Sequence, residues 1–496
     1  MDKTSAFFIK TAVNFFKTAV NWISRSKFSV FGGIIIGVIA PVLLICVMLD
    51  IRGTVDNPYF GFLIYLILGP LFILGLILLI IGVFIRSHGK EDIGLFTFEY
   101  IEEQLTRPGR YSRIRRHILL TLLITLITLF LVALVSYTGF HYSESTAFCS
   151  QSCHQVMEPA YTTYQRSPHS RISCVECHIG KQSQWLTKAK FSGAKQLFAV
   201  LFDTYPRPIP QPITSLRPVR ETCEKCHRPE MFHGDKLYIK DHFLPDEHNT
   251  HVQTALLMKI GSGGYLGRKA QGNHWHVSED YPVFYKYTDH AQEDVVQVWR
   301  QDGDREIHFY KTSDTEKQDT SQPGTVRKMD CMDCHNRTTH VFRSADEALD
   351  EKMITGIIPR EVPFIKRQAL KTITPQYDSV DEALHEISRG LKEWYLTNYP
   401  NLVSHDKPLL DKAIAGVQQA YVENVFPEMN IGWDTYTDFI GHKNGSGCFR
   451  CHDGLHSSEN GQTISNNCDS CHIILAENEP SPEVLNILRK TRKDNR

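Results

Sequence analysis

The chain is 496 residues long, with 54 Lys and Arg against 55 Asp and Glu, 42% apolar residues and 13 Cys. A formal net charge of −1 argues against nucleic-acid binding, the length excludes a free-standing disulfide miniprotein, and the apolar content excludes intrinsic disorder. Length alone allows two to four domains, so the question becomes what occupies so many cysteines.

In chain order, the first feature is a near repeat, KTAVNFF followed by KTAVNWI. It sets Lys10, Asn14, Lys17, Asn21 and Ser24 on one helical stripe, opposite Phe8, Ala12, Phe16, Ala19, Val20 and Ile23. That pattern predicts an amphipathic helix lying on anionic cytoplasmic lipid, with a helix packed on another subunit as the competing reading. Three uncharged runs follow, at residues 31–49, 60–85 and 118–140, each long enough to cross a bilayer as a helix. The expected architecture is a three-helix membrane anchor. Lys3, Lys10, Lys17, Arg25 and Lys27 precede the first run, and Arg86, Lys90, Arg107, Arg110, Arg113, Arg115 and Arg116 fill the second connection. The first connection holds only Arg52 beside Asp50 and Asp56. The positive-inside rule therefore puts the N-terminus and loop 86–117 in the cytoplasm, and everything after the third run outside it. Pro41 and the 30 residues ahead of the first run make it a persistent anchor rather than a cleaved signal.

Beyond the third run, twelve of the thirteen cysteines fall into six close pairs, and histidine follows the second cysteine of every pair. The remaining one, Cys46, lies in the first apolar run, where a small packing role suffices. The first pair is Cys149/Cys153/His154, with three residues between the cysteines. The other five read CxxCH: Cys174/Cys177/His178, Cys223/Cys226/His227, Cys331/Cys334/His335, Cys448/Cys451/His452 and Cys468/Cys471/His472. Two thiols at this spacing form thioethers with two haem vinyl groups, and the adjacent His becomes an axial ligand, so the pattern predicts six covalently bound haem c groups. Zinc pairs and disulfides are the bland alternatives, but neither requires a His directly after each second Cys. The extracytoplasmic side assigned from the charges is also where haem is attached covalently.

A haem that only relays electrons needs a second axial ligand, usually His or Met. The candidates chosen on proximity to the motifs are His169, His276, His340, His442 and His456, with His274 beside His276 in the run NHWH. The first motif begins nine residues after the third run, so its haem is expected at the membrane surface; Met157, three residues after His154, is its candidate thioether ligand, with packing as the alternative. Residues 182–202 read as an amphipathic helix, with Trp185, Leu186, Ala189, Leu197, Phe198 and Leu201 on one side and Lys181, Lys188 and Lys195 recurring every seven residues on the other. Such a helix suits a membrane interface, although a solvated lysine face is the ordinary reading. Asp203 at its end is a candidate proton acceptor.

The run YPRPIPQPITSLRP is an extended linker. Residues 283–287, 295–299 and 306–310 look like short strands, the last two joined as a hairpin through Gln301-Asp302-Gly303-Asp304. Residues 345–354, 363–373, 380–395 and 409–425 have helical periodicity, with Ser379 and Asp381 as start signals, and the tail after Glu477 is charged and expected to be mobile. The expected organisation is a cytoplasmic amphipathic segment (1–29), the membrane anchor (30–140), a three-haem core (141–230), a β-containing insertion with the fourth haem (231–343), a helical haem-free segment (344–440) and a two-haem segment with the tail (441–496). The fold class is thus three N-terminal transmembrane helices followed by a mainly α and irregular haem-packed domain with a small β insertion.

A membrane anchor running into CSQSCHQVMEPAY, SPHSRISCVECH, the basic stretch WLTKAKFSGAKQLF and RETCEKCH resembles the NapC/NirT family of membrane-bound multihaem quinol dehydrogenases. The runs NHWH, KMDCMDCHNRTTH and IGHKNGSGCFRCHDGLHSSENGQTISNNCDSCH are similar to the longer inner-membrane cytochromes of bacteria that respire extracellular metals. The resemblance implies oxidation of menaquinol or ubiquinol at the haem nearest the membrane, with onward transfer to periplasmic c-type cytochromes in anaerobic or metal respiration. By it, Met157 matches the Met ligand of the first haem, His169 a distal His, and Lys188, Lys195 and Asp203 the quinol-site helix. The family usually has CxxCH with Met two residues after the His and a single anchor; here both spacings are one residue longer and three spans are expected. Two other classes compete: an electron conduit fed by another membrane oxidase, and a reductase of a small oxyanion with one open haem position. The sequence leaves the oligomeric state open.

Overall fold

The computed structural model describes residues 26–51, 63–84, 130, 134, 137–152, 154–179, 192–193, 195–196, 198–200, 202–211, 219–228, 232, 234–261, 271–313, 316–317, 323–442 and 445–494. The amphipathic segment expected before the first apolar run lies outside them, as does loop 86–117. The chain divides into two units, one made of 1–149 with 174–196 and the other of 150–173 with 197–496.

In the first unit, an apolar run with no charge to solvate forms helix α1 (Lys27–Ile51), which contains Pro41. A π turn (Leu63–Leu68) leads into helix α2 (Gly69–Phe84). The two helices are antiparallel, since Ser29 meets Gly82 at one end while Cys46 packs with Ile64 and Leu68 at the other. Small residues let the backbones touch: a Cβ on Gly32 would lie 2.6 Å from Gly75 O and Leu79 N, and one on Gly82 would collide with Ser29 N. This is how helices associate where no water drives them together. Ile34, Val38, Leu44, Ile45, Ile73 and Ile77 point outward, as side chains facing lipid do. Among the described residues one stretch, Lys27–Cys46, is long and apolar enough to cross a membrane, and Gly69–Leu79 is a shorter apolar helix. The expectation of three full spans is thus met by one described span. The run at 60–85 is broken by the π turn, and of the run at 118–140 only Phe130, Leu134 and residues 137–140 are described, all helical. Cys46 is a packing residue in this helix pair.

The second unit opens on helix α3 (His154–Gln165). Two sheets follow. The first is three-stranded and antiparallel, ordered β1 (Lys236–Phe243), β2 (His251–Met258) and β9 (His472–Glu479). The second has the order β6-β5-β4-β3-β7, built from β3 (Val283–Tyr287), β4 (Val295–Asp302), β5 (Arg305–Ser313), β6 (Glu316–Lys317) and β7 (Thr325–Lys328), and the short β8 (His456–Ser457) pairs with β5. The three expected strands are present, and Asp302 pairs with Arg305 across the expected hairpin turn. The β structure is larger than an insertion between haem motifs, because β8 and β9 come from the C-terminal segment. That segment is also ordered where looseness was expected: β9 buries Ala476, and the helix Glu483–Asp494 buries Leu485 against it.

The haem-free segment forms the four expected helices, as Ala345–Ile354, Ile365–Ile373, Val380–Asn398 and Lys407–Val422, and a short fifth, Pro400–His405, that the periodicity did not predict. Ser344 and Ser379 cap the first and third, accepting hydrogen bonds from Glu347 N (3.4 Å) and Glu382 N (3.2 Å). Leu349, Ile365, Ala369, Ile387, Leu391, Tyr395, Val417 and Tyr421 form a closed apolar core that Phe243 of β1 joins. Polar contacts fasten the sheet to it. The Asp350 carboxylate accepts from His242 Nδ1 (2.7 Å), Phe243 N (3.0 Å) and the fully buried Lys366 ammonium, which also pairs with Asp346 at 3.0 Å.

Candidate haem sites

Five of the six motifs begin on one tight turn of backbone. Motif two is the helix Cys174–His178, and motif three closes the helix Val219–Cys223. Motifs four, five and six start on the 3₁₀ turns Cys331–Asp333, Gly447–Arg450 and Cys468–Ser470. The His main-chain nitrogen returns to the first Cys carbonyl in motifs three, four and five, at 2.8, 2.8 and 3.0 Å. On such a turn, positions one, four and five share a face, so both sulfurs and the imidazole are presented together. In motif one, the π turn Phe148–Ser152 carries Cys149; Cys153 and the His154 side chain are outside the described residues. Local sequence supplies the turns. Asp330 accepts from Met332 N (2.8 Å) and Asp333 reaches back to Asp330 N (2.6 Å), while Gly447 adopts φ +46° with its Cα pressed on Gly441 O.

Burial pushes Cys334 and Cys451 up to about 12 and raises Cys331, Cys448 and Cys471, which favours neutral sulfur, the form a thioether keeps. Cys174 is held down, to about 6, first by hydrogen bonding with the Cys149 thiol. The five CxxCH pairs are alike in sequence but not all alike in exposure. Cys177 is only half-buried, and Cys226, whose main-chain nitrogen donates to Cys223 O at 3.2 Å, is exposed.

Among the described residues, the group suited by type to hold an ion is His242, Asp346 and Asp350, away from every motif, and Lys366 already serves its carboxylates. Burial lowers His274, His276 and His335, keeping the neutral imidazole that metal ligation needs.

The motif histidines are met by others. The His276 and His452 rings lie 5.7 Å apart between centres, His169 and His227 6.0 Å, and His442 and His472 6.3 Å. Two metal–nitrogen bonds of about 2 Å, with about 1.2 Å from each nitrogen to its ring centre, would set two imidazoles about 6 Å apart across one ion. Nδ1 is tied to backbone carbonyls in the first two pairs: His276 to Asn273 O (2.9 Å), His452 to Ser465 O (2.6 Å) and His169 to Thr338 O (3.3 Å). That bond fixes the tautomer and leaves Nε2 for a metal. His472 Nδ1 is buried without a hydrogen-bond partner. Apolar side chains are exposed beside the motifs, among them Ile172, Ile440, Phe449, Leu455, Ile473 and Ile474, surface that a haem face would cover. The residues present therefore fit haem c.

Of the remaining ligand candidates, His340 turns Nδ1 to Ala160 O (2.9 Å) and to Thr163 Oγ1 (3.4 Å). His456 is a correction. It is fully buried with both nitrogens engaged, Nδ1 to Asp453 Oδ1 (2.9 Å) and Nε2 to Val295 O (3.1 Å), so it ties β8 to the sheet and has no nitrogen to offer iron. Proximity in sequence singled it out over His274, whose Nδ1 is buried and unpartnered and whose ring stacks on Phe232 at 4.8 Å. Met157 lies half-buried on α3. Lys188 is outside the described residues, and Lys195 is exposed on a helical stretch. Asp203 has φ +52° and an exposed carboxylate that accepts from Arg207 Nη2 at 2.5 Å, with Arg207 over the Tyr205 ring.

A model of the N-terminal region of the NapC/NirT cytochrome c family matches residues 112–208. The cytochrome c-type protein ImcH of Geobacter sulfurreducens is 37% identical over 461 residues, 91% of this chain and 89% of that protein. The chain belongs to the NapC/NirT cytochrome c family. A second member, the cytochrome c-type protein NrfH of Wolinella succinogenes, is 34% identical over 103 residues, 20% of this chain and 57% of that protein. No solved structure matches. As a NapC/NirT cytochrome, the chain is a membrane-anchored multihaem c-type protein of electron transport, and its anchor-proximal motifs lie inside the family match.

Proposed function

We propose that this cytochrome is an inner-membrane quinol dehydrogenase that passes electrons from menaquinol or ubiquinol through six c-type haems to periplasmic acceptors. The observation that carries the reading is the family match over residues 112–208, which runs from the third apolar run through the first two motifs and past the basic stretch that follows them. The N-terminus is cytoplasmic and the haem domain periplasmic, on the distribution of Lys and Arg. Haem c, once attached, supplies one-electron relays whose potentials follow their axial ligands.

The chain's own residues do the rest. The Cys pairs would hold each haem and the motif histidines would ligate it, with His169, His276 and His442, whose rings lie near His227, His452 and His472, as candidates for the second ligand. Quinol gives up two protons with its two electrons, so the site needs groups that take protons at the membrane edge. Lys195 and Lys188 are candidates to hydrogen-bond the quinol oxygens. Asp203 is a candidate proton acceptor, with one carboxylate oxygen accepting from Arg207.

Anaerobic reduction of the full-length protein by a menaquinol analogue, followed through the haem absorption bands, tests this. Rapid reduction that is slowed by Lys195→Ala at unchanged haem content supports the quinol site, and turnover unchanged in that variant removes Lys195 from it. No reduction by quinol, with normal reduction by dithionite, replaces the proposal with a conduit fed by another protein.

A further inference from the structure

The helix Glu483–Asp494 is seated on the sheet by its first turn only. Leu488 lies four residues after Val484 and three after Leu485, so the three share one helical stripe, with Ile487 at its margin. The stripe outruns the surface that buries it. Leu485 is 2% exposed, packed with Ala255 of β2 and Ala476 of β9, and Val484 joins them. One turn later Leu488 is 46% exposed and Ile487 56%, and Asn486, Arg489 and Lys490 are exposed beside them.

The sequence around this open end is strongly basic. Residues 486–496 hold Arg489, Lys490, Arg492, Lys493 and Arg496 against Asp494 alone, in a chain whose formal net charge is −1. They hold no aromatic side chain, the kind that anchors most protein–protein contacts. Aliphatic side chains flanked by Arg and Lys are instead what a helix presents to lipid: the aliphatic groups enter the boundary between headgroups and acyl chains, and the long cationic side chains reach the phosphates. Charge complementarity thus selects an anionic bilayer as the occupant, and a membrane-anchored chain always has a bilayer within reach.

We propose that the outer part of the helix Glu483–Asp494 is a peripheral membrane contact, in which Leu488 and Ile487 enter the headgroup boundary of an anionic bilayer while Arg489 and Lys490 pair with lipid phosphates. The first turn stays on the sheet, so lipid holds the second unit at a point far in sequence from the anchor. Strand β9, on which the helix sits, begins at His472 of motif six, so that motif is carried along with the contact. The proposal is independent of the quinol reading.

The test uses the mature full-length protein in nanodiscs of phosphatidylcholine alone and of phosphatidylcholine mixed with phosphatidylglycerol, read by hydrogen-exchange mass spectrometry. Peptides covering 481–494 should exchange slower by about fivefold or more in the anionic discs, and the difference should vanish in about 0.5 M salt. Strand β9 should exchange alike in both, reporting that the seat of the helix is intact in every variant. Arg489→Gln with Lys490→Gln should abolish the difference, Leu488→Ser should weaken it, and Arg489→Lys with Lys490→Arg should keep it. Equal exchange in the two kinds of disc, or a difference that survives the glutamine pair, overturns the lipid contact. Protection that follows the number of chains per disc instead of the lipid charge overturns it in favour of a second copy of the chain.

Discussion

The helical segment and the motif-bearing segments of the second unit are built on opposite principles. Residues 345–425 enclose a continuous apolar core in which Leu349, Ile365, Ala369, Ile387, Leu391, Tyr395 and Val417 have no exposed surface. Around motifs five and six, the buried apolar set is small, while Ile440, Phe449, Leu455, Ile473 and Ile474 stay exposed. The first region carries its own hydrophobic driving force; the second is a set of short turns whose exposed apolar side chains a haem face would cover. One part of the molecule is a scaffold, and the other is a holder.

The largest test of this contrast removes the cofactor. Replacing both cysteines with Ala in motifs three to six should leave amide protons of residues 345–425 slow to exchange, while those of 445–475 exchange faster by about 100-fold or more, read by hydrogen-exchange mass spectrometry. Equal loss of protection in both segments would show that the helices also depend on haem. A smaller effect is expected where the scaffold grips the sheet. Lys366 is fully buried and neutralises Asp350 and Asp346, so Lys366→Met strands a buried carboxylate and should cost about 3–5 kcal/mol by denaturant unfolding, with haem content retained. A cost within about 1 kcal/mol would mean that His242 and Phe243 N suffice to hold Asp350.

The same contrast explains what could be read from sequence. Helices that bury one stripe leave a 3.6-residue period, and Ala345–Ile354 begins and ends where that period placed it, with Ser379 capping Val380–Asn398 as its side chain suggests. The attachment motifs were legible because covalent chemistry fixes their spacing. Their surroundings were not, which is why Cys226 and Cys451 read identically in sequence although one is exposed and the other raised by burial. The partners of the distal candidates were hidden, since a loop histidine carries no local signal of what it faces: His169, His276 and His442 are named by the sequence without the motif each one meets, and His456, named for its nearness to motif five, is turned into the sheet. Strand β9 was missed because its outward residues are Ile473, Ile474, Glu477 and Glu479, a mixture with no clean alternation, and its partner β2 lies over 200 residues earlier.

The finest comparison is at the seam where α3 meets the scaffold. Glu423, at the end of Lys407–Val422, accepts from Lys352 Nζ (2.7 Å), Gln419 Nε2 (2.8 Å) and Arg166 Nη1 (3.1 Å). Burial alone would raise its carboxyl; the Lys352 and Gln419 hydrogen bonds and the charges of Lys352 and Arg166 outweigh burial and hold it below its ordinary 4.5. A carboxylate depressed in the folded state contributes stability that is fully present above its unfolded value and is lost as pH falls through the folded one. The wild-type protein should therefore lose stability on acidification below about 4.5, and Glu423→Gln should flatten that limb while costing about 1–2 kcal/mol at neutral pH. Thermal unfolding across pH 3 to 7 reads both effects, within roughly those magnitudes. An acid limb unchanged in the variant would assign the pH dependence to other carboxylates and leave the seam held by packing of α3 rather than by charge.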